Sequence, residues 1–177
     1  MLNKIIEFFK KLLSTETKVV VENPEINNPA SEHVNLSNVE MKCLEFYGNA
    51  TKEIGVNESK NPDKIKLYHS FIGLKAGVET AWCSSFANYI VKQSIMKGTG
   101  SALARSWLKW GKSVDKPIKG CVVVFWRTSP SSSYGHVAFY AGETETDIIV
   151  ISGNSGNSVR KSNYPKSRLL GYRVPIL

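Results

Sequence analysis

At Gly120-Cys121-Val122-Val123-Val124-Phe125-Trp126 the chain changes its hydrophobic period. A short apolar run of β-branched and aromatic residues after a glycine reads as a buried strand. Three more runs follow it: His136-Val137-Ala138-Phe139-Tyr140, Ile148-Ile149-Val150-Ile151, and a last one from Leu169 to Val174. Before Gly120 the apolar residues keep helical spacing. Val39 to Ile54 puts Met41, Leu44, Tyr47 and Ile54 on one side, and Asn61-Pro62 opens a short helix to about Phe71, with proline suited to its first turn. A third helix starts near Cys83 and runs to about Lys97, ahead of Gly98. A shorter one covers about Ala102 to Trp110. Helices followed by an antiparallel meander are the α+β pattern. No internal repeat is visible.

Upstream of this domain the composition shifts. Residues 1–13 carry Leu2, Ile5, Ile6, Phe9, Leu12 and Leu13 at helical spacing, with Lys4, Glu7, Lys10 and Lys11 between them. This amphipathic helix is too short to span a bilayer, and its charges interrupt any secretory signal. It fits a helix that docks on the main domain, pairs with another chain, or lies on a membrane surface. Residues 14–37, with Pro24, Pro29 and many Asn, Thr and Ser residues, read as a flexible linker or arm. The compact domain is expected over 38–177.

The 177 residues allow one ordinary domain and a short appendage, and 42% hydrophobic residues supply a core. Cys43, Cys83 and Cys121 have no close spacing, which argues against a disulfide scaffold or zinc ribbon and for a reduced protein made in the cytoplasm. A net charge of +8 favours polyanions. The basic residues form no block and no nucleic-acid module is present, so the charge points to an anionic wall or membrane surface rather than nucleic acid.

Cys83 stands in Thr80-Ala81-Trp82-Cys83-Ser84-Ser85-Phe86-Ala87-Asn88-Tyr89-Ile90-Val91, where a polar approach gives way to the apolar set Phe86, Ala87, Ile90, Val91. That spacing places it in the first turn of a helix. Unpaired N–H groups and the positive end of the dipole there favour a thiolate and are positioned to hold an oxyanion. A cysteine beside an apolar helix is commonly a small buried hydrophobe, so the nucleophile reading needs a base and an orienting group elsewhere.

Only three histidines are available. His33 falls in the linker, and His69 sits mid-helix as a surface or packing residue. His136 opens a strand behind Ser131-Ser132-Ser133-Tyr134-Gly135, a common setting for a catalytic base. A hairpin centred near Thr144 would set His136 opposite Ser152, with Asn154 a diagonal neighbour at roughly 7–8 Å between backbones. Its amide would then orient the imidazole, unless Asn154 is a plain turn residue. Asp147, at the far end of the hairpin, is a weaker choice.

Taken together these residues resemble the CHAP group, the cysteine- and histidine-dependent amidohydrolases/peptidases of the papain-like superfamily, and most closely the small phage and prophage lysins. The likeness covers roughly 38–177. It runs through Glu53-Ile54-Gly55-Val56, Asn61-Pro62, Trp82-Cys83-Ser84-Ser85-Phe86, Gly98 to Leu108, Gly120 to Phe125, Gly135-His136-Val137-Ala138-Phe139-Tyr140, Gly153-Asn154 and Leu170-Gly171-Tyr172-Arg173. It implies a papain-like fold and cleavage of a peptidoglycan stem-peptide amide by acyl transfer. Cys83 would be the nucleophile, His136 the base and Asn154 the orienting residue. Cys83 and Ser84 N–H groups would hold the oxyanion, and Trp82, Trp126 and Tyr134 would lie along the groove. Two positions depart from the family: Cys121 stands where Asp is usual, and Ser155 where Gln is frequent. The calcium-binding Asp-x-Asp-x-x-x-Gly pattern of some relatives is missing, so neither metal nor cofactor is expected. A protein-directed papain-like protease and a non-catalytic wall-binding protein are the alternatives. Since no signal is read, the resemblance implies cytoplasmic synthesis and passage to the wall through a pore or delivery system, with a membrane surface or delivery partner at residues 1–13.

Overall fold

The computed structural model describes residues 37–177, which fall in the second of two units, Asn35–Leu177. The expected amphipathic helix, nearly all of the linker, and His33 lie outside the described residues. Helix α1 is Asn38–Lys52, α2 Pro62–Ser70 and α3 Cys83–Gln93, followed by a 3-10 helix, Ala104–Lys109. The strands are β1 Lys112–Val114, β2 Val122–Trp126, β3 Gly135–Glu143, β4 Asp147–Ser152, β5 Arg160–Pro165 and β6 Leu169–Val174. They form one antiparallel sheet in the order β1-β6-β2-β3-β4-β5. The α+β expectation of helices on an antiparallel meander holds for β2 through β5. β6 then returns to lie between β1 and β2.

Each element has a local cause. Ser37 and Glu40 close a capping box at the start of α1, satisfying two otherwise orphaned donors. Pro62 starts α2 where a missing N–H does no harm. Alternation along the strands then splits the interior in two. Val122, Val124, Val137, Phe139 and Ile151 join Phe46, Phe86, Ile90 and Trp107 of the helices. Cys121, Val123, Phe125, Ala138, Ile148 and Val150 form a second cluster with Tyr172 and Cys43. Where β2 begins, Gly120 has φ +85, and a Cβ there would run into the Cys43 carbonyl of α1. Glycine lets helix and sheet close together at that point.

Three expectations need correcting. The third helix stops at Gln93 rather than Lys97, because Ile95 adopts a left-handed φ of 60 and breaks the helical ladder. The segment expected as a helix over 102–110 is a single 3-10 stretch, held down by Trp107, whose indole donates to Ser84 Oγ at 2.9 Å. Strands β1 and β5 were not expected at all.

Candidate active site

The β3–β4 hairpin differs from the expected register. It turns through Thr144–Asp147, with Thr144 N donating to Asp147 O at 2.8 Å, and a bulge follows between Tyr140 and Gly142. Beyond the bulge Phe139 pairs with Ile151, and continuing that register sets Ala138, not His136, against Ser152. The extra residue in β3 and the wider turn together move the partner by two. β4 ends at Ser152, and Asn154 beyond it leaves the extended conformation, so no strand register sets it against His136.

Cys83 is the first residue of α3, and its preceding residue Trp82 supplies no side-chain cap. The N–H groups of the first turn are therefore left for other partners. The residue is buried, at 4% exposure. Burial raises its pKa, so the resting group is a thiol; the expected thiolate preference is outweighed by desolvation. Acting the other way are the Val137 backbone N–H, the Arg127 charge, and the N–H groups of Ser84 and Cys83. Val137 follows His136 in the chain, so the peptide next to the histidine borders the sulfur.

His136 is buried and lies flat on Tyr164, with ring centroids 4.9 Å apart and planes at 14°. Tyr164 also stacks on Phe125, the residue paired with His136 across β2–β3. Nε2 is fully enclosed without a hydrogen-bond partner. Burial first, and the positive charge of Arg127 second, hold the imidazole neutral down to about pH 3. No hydrogen bond joins it to Cys83, so the resting pair is thiol and neutral imidazole. Ser152 Oγ, at the end of β4, is likewise buried without a partner. Orphaned buried polar atoms are uncommon in folded proteins and destabilise by about 1–3 kcal/mol each. His136 and Ser152 carry two of them on adjacent strands, and His69 Nε2 and Arg173 Nε are two more among the described residues.

Asn154, two residues past the end of β4, has a left-handed φ of 56. In the orientation that satisfies both amide atoms, Oδ1 accepts from Trp82 N at 3.1 Å and Nδ2 donates to Glu58 Oε1 at 3.3 Å. Glu58 Oε1 also accepts from Trp82 Nε1 at 2.7 Å. The amide thus ties the end of β4 to the residue before Cys83 and makes no hydrogen bond to His136. Glu58 escaped the sequence reading because it lies in an irregular loop with no spacing relation to Cys83.

The groove residues divide. Trp82 and Ser84 are fully buried, and Ser84 Oγ donates to Ser101 O at 2.6 Å, so neither side chain forms a wall; Ser84 can act only through its backbone. Trp126 is half-buried, with its indole on Ser167 O and the Arg168 guanidinium 5.0 Å from its ring centre. Tyr134 is exposed. Its loop is held by Arg105, which donates to Pro130 O at 2.9 Å, to Ser129 O and to Tyr134 O. His69 is a packing residue, fully buried, with Nδ1 2.9 Å from Ser85 Oγ. A separate cavity of about 500 Å³ lies at the other end of α3, beside Lys92, Ile95 and Met96.

Gly153 packs against the Trp82 ring and Phe86, and a Cβ there would come within 2.5 Å of Trp82 Cζ3 and 2.7 Å of Phe86 Cβ. Gly153→Ala is expected to lower stability by about 1–3 kcal/mol through overpacking. Because it pushes Asn154 away from Trp82, any wall-digesting activity should drop as well. Urea denaturation and turbidity assays on the same preparation measure both.

A cysteine at a helix start, packed on an antiparallel sheet that carries a strand-end histidine, defines the papain-like class. Residues 75–154 match the family model of the CHAP domain. The fold is similar to the P60 domain of an antigen from M. avium subspecies paratuberculosis, with TM-score 0.52 and 16% identity over 79% of this chain and 98% of that one. It is also similar to the peptidoglycan hydrolase RipB from Mycobacterium tuberculosis, with TM-score 0.53 and 17% identity over 96% of this chain and 77% of that one. At such identities the likeness is one of fold. No curated protein sequence matches the chain.

Proposed function

We propose that the chain is a peptidoglycan hydrolase cleaving a stem-peptide amide, with Cys83 as nucleophile, His136 as general base and then acid, and Asn154 as the positioning residue. The observation that carries it is the convergence on one buried sulfur of the uncapped N–H groups of α3 and the N–H of Val137, adjoining His136. The CHAP match and the fold shared with a peptidoglycan hydrolase support the same substrate class.

From a neutral pair, attack and proton transfer proceed together. The thiol proton moves to the imidazole as sulfur bonds to the carbonyl carbon, and the C=O electron pair becomes an oxyanion. N–H groups of Cys83 and Ser84 hold that charge without reorganising. Collapse breaks the C–N bond, and imidazolium returns the proton to the leaving amine. Water, giving its proton to His136, then splits the thioester. Asn154 acts at a distance by fixing Trp82, and so the start of α3, relative to Glu58. A lysin of phage type or an antibacterial effector would use this same chemistry.

The test is digestion of purified sacculi by the full chain beside Cys83→Ala, with mass spectrometry of the released muropeptides. New amine and carboxyl ends within the stem peptide are the expected products; intact sacculi with the wild type would refute the reading. Thiol labelling offers an independent check. Cys43 and Cys121 are fully buried, and burial raises all three thiols, but Cys83 alone stands at a helix start with backbone N–H groups and the Arg127 charge acting against that rise. Limiting iodoacetamide at neutral pH should therefore alkylate Cys83 first and extinguish activity in step. Modification of Cys43 or Cys121 with activity retained would identify the wrong nucleophile.

A further inference from the structure

Arg127 follows the last residue of β2, one step past the Trp126–Gly135 pair and two past Phe125–His136. Its positive charge acts on both the Cys83 sulfur and the His136 ring. Three of the other four arginines have partners, and the fourth, Arg173, lies at the opposite end of β2 with its Nε buried and unpaired. Arg105 holds loop carbonyls, Arg168 lies over Trp126, and Arg160 donates to Ser155 Oγ. Arg127 is exposed and has neither an ion pair nor a hydrogen bond among the described residues. No counter-charge is close in sequence either, since Lys116–Gly142 and Ile148–Leu177 contain no Asp or Glu. The carboxylate of Glu58 is taken by Trp82 and Asn154.

We propose that Arg127 determines specificity by binding a free carboxylate of the peptide substrate, close to the scissile amide. The inference rests on the hydrolase reading above. A guanidinium presents a planar fork of donors that matches a carboxylate, and such a charge-assisted pair is about twice as strong as a neutral one. There is also a reason for such a group to be met by substrate rather than by the protein. An unpaired cation next to His136 opposes imidazolium formation, which the reaction requires. A bound carboxylate cancels that opposition when substrate is in place. A peptide offers this group at an acidic side chain or at its C-terminus, and the experiment separates the two.

Binding is measured by calorimetry on the full chain carrying Cys83→Ala, so that no turnover is needed. The probes are a synthetic stem tetrapeptide with its carboxylates free, the same peptide amidated at the side-chain carboxylate, and the same peptide amidated at the C-terminus. One amidation should weaken binding by about tenfold to a hundredfold, the range of a lost charge-assisted hydrogen bond, and so name the source. Adding Arg127→Gln should abolish the difference, and Arg127→Lys should restore part of it. Equal affinity for all three peptides, a preference that persists in Arg127→Gln, or no binding of any peptide would overturn the inference. Sacculus digestion by the wild type decides the hydrolase reading separately. Arg127 is exposed, so the variants should keep the wild-type melting profile, which circular dichroism verifies.

Discussion

Cys83→Ala protein is expected to leave sacculi undigested, with activity down by at least about 10⁴-fold and the melting profile preserved. Alanine removes only the sulfur from a buried position whose neighbours, Trp82 and Phe86, are already packed, so the fold should tolerate it. His136→Ala should fall as far, because His69 lies on another element with its Nδ1 on Ser85 and cannot stand in. Asn154→Ala should fall less, by about tenfold to a hundredfold, since it acts through Trp82 rather than on the substrate. The pH profile adds a second readout. With the imidazole neutral down to about pH 3, activity should persist well below the ordinary histidine range. Hydrolysis undiminished in folded Cys83→Ala would end the assignment.

Stability should decline as the solution is acidified from about pH 6.5. His136 binds a proton at about 3 when folded and near 6.5 when unfolded, so between those values the unfolded chain holds the extra proton. The stabilisation is complete above 6.5 and is lost progressively as pH falls toward the folded value, at about 1.4 kcal/mol per pH unit. His69, also lowered by burial, contributes in the same direction. Urea midpoints between pH 7 and 5, above the carboxylate range, isolate the histidines. His136→Gln should remove its share of the slope and leave that of His69. A flat profile over this interval would show that the imidazole is not held neutral in the folded state.

How far the residues spoke for themselves differs from element to element. α1, α2, β2, β3, β4 and β6 were legible within a few residues, because apolar period is a local property. β5 was not. Arg160-Lys161-Ser162-Asn163-Tyr164-Pro165 opens with four polar residues, shows no apolar alternation and becomes a strand by pairing with β4. β1, three residues long, owes its existence to β6 in the same way. Yet β5 supplies Tyr164, the ring on which His136 lies.

The sequence by itself determined the α+β order, the placement of Cys83 at a helix start, and the position of His136 at the head of a strand. These follow from spacing and turn chemistry within a few residues of each side chain. Only the tertiary structure decided the charge states and the partners. Desolvation by segments distant in sequence makes Cys83 a thiol and His136 a neutral imidazole, against the pull of the helix dipole that the local sequence displays. A bulge and a four-residue turn shift the β3–β4 register, and the Asn154 amide goes to Glu58 and Trp82 rather than to the imidazole. Burial and register depend on which surfaces meet, and no local pattern carries that information.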